Sequence, residues 1–449
     1  MTMKQRVRRT IVFWRAQGTV ALVRLVLRKA RAVLAGKPLL NPLTDSMTPA
    51  HQVAWLAENV SSTKVVSVLQ IADGRFPSLR PIKTFLSPPS GRRRVNVITD
   101  SISKGSLFGG VGTALIFAAQ LANRMDANLR IITRTERAPP ENVQHIFSVY
   151  GITVRHEVQF VFSGVDDRLH EIELQSDDLF ITTSWWTTVA TLPAVPHANI
   201  VYLLQEDERM FYPFGDDRLK CEQMLAHAGI RFVINTRLLF DHLVATGLEN
   251  IARNGVWFEP AFPSSLFHPR KKPDLAKKRF FFYARPHNLR NLFQLGIQVI
   301  EQAVKLRVLD PAEWDVYLVG KSIPPVVFAD DIVPRRCEDL NWSAYAELAG
   351  TIDLALSLMY TPHPSYPPLD MAASGAVVVT NSFGSKQDLS AYSPNILCAE
   401  PEVDALVEAL RRGVALAESP EREAGLRRNG MQTNWQTSFE QTLEWIAGN

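Results

Sequence analysis

The stretch RRRVNVITDSISKGSLFGGVGTALIFAAQLANRMDANLRIIT (residues 92–133) decides the fold class. Val95 to Thr99 is a short, largely apolar strand. It runs into a loop rich in glycine (Gly105, Gly109, Gly110, Gly112), and Thr113 to Arg124 then follows a helical period, with Leu115, Ala118, Ala119 and Leu121 on one side. Leu129 to Thr133 is a second strand. Strand, glycine loop, helix and strand in that order are the start of a parallel sheet covered by helices.

The alternation continues outward from this unit. Asp178 to Thr183, Ile200 to Gln205 and Arg231 to Asn235 read as strands, and Lys220 to His227 as a helix. The proline-rich segment Phe258 to Pro269 interrupts the pattern, which restarts at Arg279. Phe280 to Ala284, Trp314 to Val319, Leu354 to Leu358 and Val377 to Thr380 are strands. Asn291 to Leu306, Ser343 to Ala349, a helix starting at Pro368 and Glu402 to Ala417 lie between and after them. A last helix, Trp435 to Ile446, carries Trp435, Phe439, Leu443 and Ile446 on one face and needs an apolar groove, expected on the first domain. The expected architecture is α/β. Two Rossmann-like domains (91–262 and 263–430) face each other, a 1–90 extension precedes them and a closing helix spans 431–449. Ligands of open α/β sheets bind outside the carboxyl ends of the strands, so the site is expected between the domains.

Composition bounds the function. Of 449 residues 46% are hydrophobic and 21% charged, an ordinary globular balance. Cys221, Cys337 and Cys398 are the only cysteines. They stand far apart with no CxxC, which argues against a disulfide framework and for a reducing compartment. The net charge of +4 is unevenly spread: residues 1–40 hold ten basic and no acidic side chains, leaving 39 basic against 45 acidic elsewhere. An acidic body speaks against nucleic acid as a partner. The N-terminus has no uncharged stretch long enough to span a bilayer, Ala16 to Val23 being the longest. Val23, Val26, Leu27, Ala30, Val33 and Leu34 share one side of a helix, and Arg24, Arg28 and Arg31 another. Such a helix either lies on an anionic membrane surface or packs its stripe on the body and solvates its arginines.

Four segments carry candidate chemistry. The loop with Gly109 and Gly110 opens a helix, so its N–H groups suit an anion; it fits neither GxGxxG nor the P-loop, and a plain glycine turn is the alternative. Tyr283-Ala-Arg285-Pro and Val319-Gly-Lys321 end successive strands and place two cations at one edge, with Arg285 offering five donors to a diphosphate. Thr361-Pro-His-Pro-Ser-Tyr-Pro-Pro-Leu-Asp370 holds four prolines in ten residues. This stiff loop presents His363, Ser365, Tyr366 and Asp370. His363 also suits a structural hydrogen bond, and Asp370 a helix dipole. Gln205, Glu206, Asp207 and Glu208 follow a first-domain strand. The three carboxylates are candidate catalytic groups, as proton acceptors or sugar contacts, the alternative being a solvated acidic loop. Trp185 and Trp186 end another strand, where indoles either stack on sugars or fill a core.

These segments together resemble the retaining GT-B glycosyltransferases. QEDERMFYPFG (205–215), YARP (283–286) and SLMYTPHPSYPPLDMAASG (357–375) are most similar to bacterial rhamnosyltransferases that use dTDP-L-rhamnose to build surface polysaccharide. The resemblance covers Val95 to Ile446 and implies sugar transfer from a nucleotide donor without a cofactor and without a metal held by a DxD motif. It further implies that Arg285 binds the donor diphosphate and Asp370 the ribose, that Gly109 and Gly110 lie near the phosphates, and that Glu206 or Glu208 faces the sugars. Tyr283, Lys321, His363, Ser365 and Tyr366 complete the expected donor site; Trp185, Trp186 and Gln205 form the expected acceptor side. Many retaining GT-B enzymes carry two glutamates eight positions apart, where this chain has Pro362 and Asp370. The implied acceptor is a glycan or lipid-linked oligosaccharide, at the inner face of the cytoplasmic membrane. The alternatives are another nucleotide sugar, with UDP or GDP, and an inactive glycan-binding scaffold of the same fold.

Overall fold

The computed structural model describes residues 67–448 except 90, 104–106, 138, 168–169 and 272–276. The expected amphipathic N-terminal helix lies outside the described residues, as does Ala50 to Asn59, which the sequence pattern also reads as helical. The chain divides into two compact units, 1–75 and 76–449. In the first, a helix occupies Val68–Arg75.

The second unit contains both large sheets. Its strands in chain order are β1 (Thr84–Leu86), β2 (Arg94–Thr99), β3 (Asn128–Thr133), β4 (Val158–Phe162), β5 (Ile172–Leu174), β6 (Leu179–Thr182), β7 (Ile200–Leu204), β8 (Arg231–Asn235) and β9 (Gly255–Phe258). They continue with β10 (Lys278–Ala284), β11 (Trp314–Gly320), β12 (Arg335–Glu338), β13 (Leu354–Leu356), β14 (Val377–Asn381) and β15 (Ile396–Ala399). The first sheet runs β4-β3-β2-β6-β7-β8-β9 and the second β12-β11-β10-β13-β14-β15; β1 and β5 form a separate pair. Every ladder is parallel. Central strands such as β2 and β7 are buried throughout, as a sheet with helices on both faces demands.

Chain order reverses twice. β2 lies between β3 and β6, and β10 between β11 and β13. Loops leaving β2 and β10 therefore diverge from their neighbours' loops and open a crevice at the carboxyl edge. The first crevice receives the glycine loop, the second Arg285. The last helix, Trp435–Ala447, returns to the first domain. Its Phe439 ring stands 5.0 Å from Phe117 and 4.8 Å from Phe258, and Leu443 and Ile446 join the same core.

Several elements escaped the sequence pattern. β4, β5, β9, β12 and β15 are too short to carry a clear period; β4, β9, β12 and β15 are the outer strands of the two large sheets, and β5 pairs only with β1. The helix at Asp216–Leu225 begins four residues before the expected Lys220; its first turn is acidic and offers no apolar period. Ser184 caps a helix at Trp185–Thr191 with a reciprocal bond to Thr187, so the tryptophan pair opens a helix and does not close a strand. Among the described residues no helix is long and apolar enough to cross a membrane.

Candidate active site

The carboxyl edges of the two sheets enclose a cleft of about 590 Å³. On the second-domain wall β10 and β11 end side by side, Ala284 opposite Gly320. A Cβ on Gly320 would stand 1.8 Å from the Ala284 carbonyl, so only glycine lets the two strand ends approach this closely. Arg285 and Lys321 follow directly and line the cleft. Both are exposed, and neither forms an ion pair with a carboxylate among the described residues. Arg285 has only a long contact to the Tyr283 hydroxyl, at 3.5 Å. These are two cations free to meet an anion.

The proline-rich loop approaches from β13. Its helix spans Tyr366–Ala373, two residues earlier than the sequence suggested, because Pro367 and Pro368 suit the first helical turn. Asp370 is 5% exposed, and the Tyr345 hydroxyl donates to its Oδ2 at 3.1 Å. Burial outweighs that bond and raises its pKa to about 8. Ser365 sits at φ 70°, ψ 151°, a conformation that costs a non-glycine residue about 1–3 kcal/mol. It sends its N–H to His363 Nδ1 at 2.9 Å. His363 is 3% exposed and lines the cleft. Tyr366 lines it with its ring but commits its hydroxyl to the first domain, 2.7 Å from Thr113 Oγ1 and 3.0 Å from Asn235 Nδ2.

The acidic segment after β7 divides into three environments. Glu206 faces the cleft with both oxygens engaged by the second domain: Arg290 Nη1 donates to Oε2 at 2.9 Å, and the Thr361 hydroxyl donates to Oε1. The Arg290 guanidinium also lies 4.2 Å over the Phe211 ring, so first-domain groups hold it on two sides. Burial raises the Glu206 pKa against the pull of Arg290. Asp207 corrects the expectation, since it is absent from the cleft wall. It is 1% exposed, takes two 2.8 Å bonds from Arg209 and has His242 Nε2 at 3.2 Å. Burial alone would raise its pKa, but His242 and Arg209 bring it to about 2, so it is a structural anion. Glu208 lines the cleft and accepts the Trp185 N–H at 2.8 Å. Burial lifts its pKa to about 8, leaving an uncharged acid at neutral pH.

On the acceptor side the two tryptophans separate. Trp185 is 2% exposed and bonds the Tyr212 hydroxyl at 2.9 Å; it belongs to the core, which corrects its expected sugar contact. Trp186 lines the cleft and donates Nε1–H to Asp100 Oδ2 at 2.8 Å. Gln205 grips the glycine loop, with Nε2 2.5 Å from the Gly110 carbonyl; Gly109 adopts φ 75° there. Sequence reasoning missed Asp100, Arg290, Tyr345 and Thr361. Asp100 follows β2 as Arg285 follows β10, so the strand-end rule would have found it. It also missed Lys386, which is fully buried, donates to the Met359 carbonyl at 2.8 Å and has its pKa lowered by burial to about 8. Among the described residues no cluster of three or more His, Cys, Asp or Glu side chains suits a metal ion.

Two facing parallel-sheet domains with such a cleft define a protein of the GT-B fold. Residues 94–236 match the WsaF N-terminal domain and residues 278–411 the WsaF C-terminal domain. Together these make up more than half of the chain, which belongs to the WsaF family. The O-antigen biosynthesis protein RfbC of Myxococcus xanthus is 34% identical over 243 residues, 54% of this chain. The match spans only 18% of that relative's length. Anabaena Alr3699/HepE, solved with UDP and glucose, has a TM-score of 0.55 at 13% identity, covering 80% of this chain and 100% of that one. WaaG, a glycosyltransferase involved in lipopolysaccharide biosynthesis, has a TM-score of 0.56 at 11% identity, covering 79% and 100%.

Glu206 and Arg290 join the domains, so Glu206→Gln and Arg290→Gln are expected to be non-additive in denaturant unfolding, with a coupling of about 1–3 kcal/mol. Additivity within about 0.5 kcal/mol would show that the pair is not formed. A second expectation follows from Asp370. An unfolded aspartate ionises near pH 3.9, whereas the folded protein keeps this proton to about pH 8. The native state binds the extra proton between those values, so stability falls as pH rises through that window. Asp370→Asn is therefore expected to raise the melting temperature more at pH 8 than at pH 5; equal gains would mean that Asp370 ionises normally.

Proposed function

We propose that the protein transfers a sugar from a nucleotide-sugar donor onto a growing surface glycan, with dTDP-L-rhamnose as the donor. One observation carries this reading: two unpaired cations end adjoining strands at the β10 switch point, in one cleft with a buried carboxyl, Asp370, on the helix that follows β13. That is the chemistry of a nucleoside diphosphate, whose phosphates take the cations and whose ribose hydroxyls take a carboxyl such as Asp370. Membership of the WsaF family and similarity to an O-antigen biosynthesis protein support the glycan setting.

In this reading Arg285 and Lys321 stabilise charge as it develops on the departing nucleoside diphosphate, in place of a metal or other cofactor. Gly109 and Gly110 bring the start of the helix at Gly112–Arg124 toward the donor. Glu206 does not serve as the base; it holds the second domain's loops against the first and helps keep water from the donor. Asp100 and Trp186 offer a carboxylate and an indole to an acceptor sugar, and Glu208 offers an uncharged hydroxyl donor. The basic residues 1–40 supply the contact with an anionic, cytoplasmic membrane face, where a lipid-linked acceptor resides.

Calorimetric titration with dTDP, UDP and GDP tests the donor. The expected result is preferential dTDP binding, weakened roughly 10- to 100-fold in Arg285→Ala, the loss of a hydrogen bond to a charged group. Preference for UDP or GDP would retain the reaction and overturn the sugar. No binding to any of the three would favour a glycan-binding scaffold. The membrane contact is tested by sedimentation with phosphatidylglycerol vesicles. Replacing Arg24, Arg28 and Arg31 by Gln is expected to weaken binding, at about 1 kcal/mol per cation; unchanged sedimentation would overturn the membrane role of this segment.

A further inference from the structure

His363 has one ring nitrogen in use and one without a partner. Its Nδ1 accepts the Ser365 N–H at 2.9 Å, so the ring proton resides on Nε2. That Nε2 is buried and has no hydrogen-bond partner. Its own loop grips the rest of the residue, the backbone N–H reaching Thr361 Oγ1 at 3.4 Å. A buried N–H without an acceptor is a destabilising feature that native proteins rarely keep. Here the residue that carries it lines the cleft, and its ring is held by the strained Ser365. Burial, with the nearby charges of Lys386 and Arg290, holds the imidazole pKa down to about 3, so the group stays neutral.

The sheet order says which part of a ligand it meets. Across the carboxyl edge the loops follow in the order β12, β11, β10, β13, about 4.8 Å per strand. Lys321 follows β11 and Arg285 follows β10; His363 lies in the loop after β13, on the other flank of β10. That loop is tied to the first domain through Thr361 and Glu206. Leu340, Trp342 and Tyr345 follow β12 and also line the cleft, Tyr345 reaching across to Asp370 at 3.1 Å. A ligand with its diphosphate on the two cations therefore has the His363 loop on the β13 flank of β10. The cations near His363 are already committed, Arg290 to Glu206 and Lys386 to the Met359 carbonyl. What remains for the ligand on this flank is a fixed, uncharged donor, which suits a neutral oxygen.

We propose that His363 Nε2–H donates to a hydroxyl oxygen of the transferred glycosyl group and so selects the sugar, while the nucleoside diphosphate binds without it. The assignment rests on the nucleotide-sugar reading above. It is tested by calorimetry on the full chain with two ligand pairs, dTDP-L-rhamnose with dTDP and UDP-glucose with UDP. His363→Leu is expected to weaken the nucleotide sugar that the wild type prefers at least tenfold. Its nucleoside diphosphate should change by less than about twofold. His363→Gln, whose amide reaches a similar position with an N–H, is expected to recover most of the loss; thermal unfolding of both variants shows that they fold. Equal weakening of sugar and diphosphate would place His363 on the phosphates and overturn the proposal, as would an unchanged His363→Leu or a Gln variant no better than Leu. If the wild type binds neither pair, the nucleotide-sugar reading itself fails, an outcome distinct from these because it appears before any substitution is made.

Discussion

A loop without regular structure, buried between two domains, must find a partner for every backbone group, and the entry to the proline-rich loop shows how this protein meets that demand. Asn291 Nδ2 takes the Leu358 carbonyl at 3.2 Å. Asn381 accepts the Met359 N–H at 2.7 Å and donates to the Met359 carbonyl at 3.1 Å, with Lys386 on the same oxygen. The Tyr360 N–H goes to the Arg290 carbonyl at 2.7 Å. Four residues from two segments, Arg290 and Asn291, and Asn381 and Lys386, thereby hold this short stretch, and Glu206 adds the first domain through Arg290 and Thr361. The positions of His363, Tyr366 and Asp370 all follow from this anchor.

The cleft separates charge from neutrality. Arg285 and Lys321 stay in water at the strand ends, where a cation is inexpensive to maintain. Asp370 and Glu208 are buried without a cation bonded to them, so they retain protons at neutral pH. Glu206 and Asp207 are buried next to cations, each in an ion pair, with Arg290 and Arg209. Four carboxyl groups on one protein thus have three distinct states, set by what surrounds them and not by residue type.

Much of the fold was legible because it depends on local periodicity. The apolar runs at Val95 to Thr99 and Phe280 to Ala284 and the helical stripe at Trp435 to Ile446 each report burial on a face. Strand-end position marked Arg285 and Lys321 for the same reason. Edge strands such as β4 and β12 were not legible, since a half-exposed strand has no continuous apolar run. Asp207 and Trp185 were placed in the site wrongly. Adjacent residues leaving a strand point in different directions, and no spacing in QEDE or SWW says which of them meets the cleft.

Near neighbours along the chain govern the part that can be read from it: two βα-alternating domains, a stiff proline loop and cations at successive strand ends. The tertiary structure alone decided the pairings over long separations. Glu206 meets Arg290 and Thr361, 84 and 155 positions away, and Thr113 meets Tyr366, 253 positions away. The protonation of Asp370 and the unpartnered nitrogen of His363 belong to that second class as well, because burial and the absence of a partner are properties of a closed volume, which no stretch of sequence encloses.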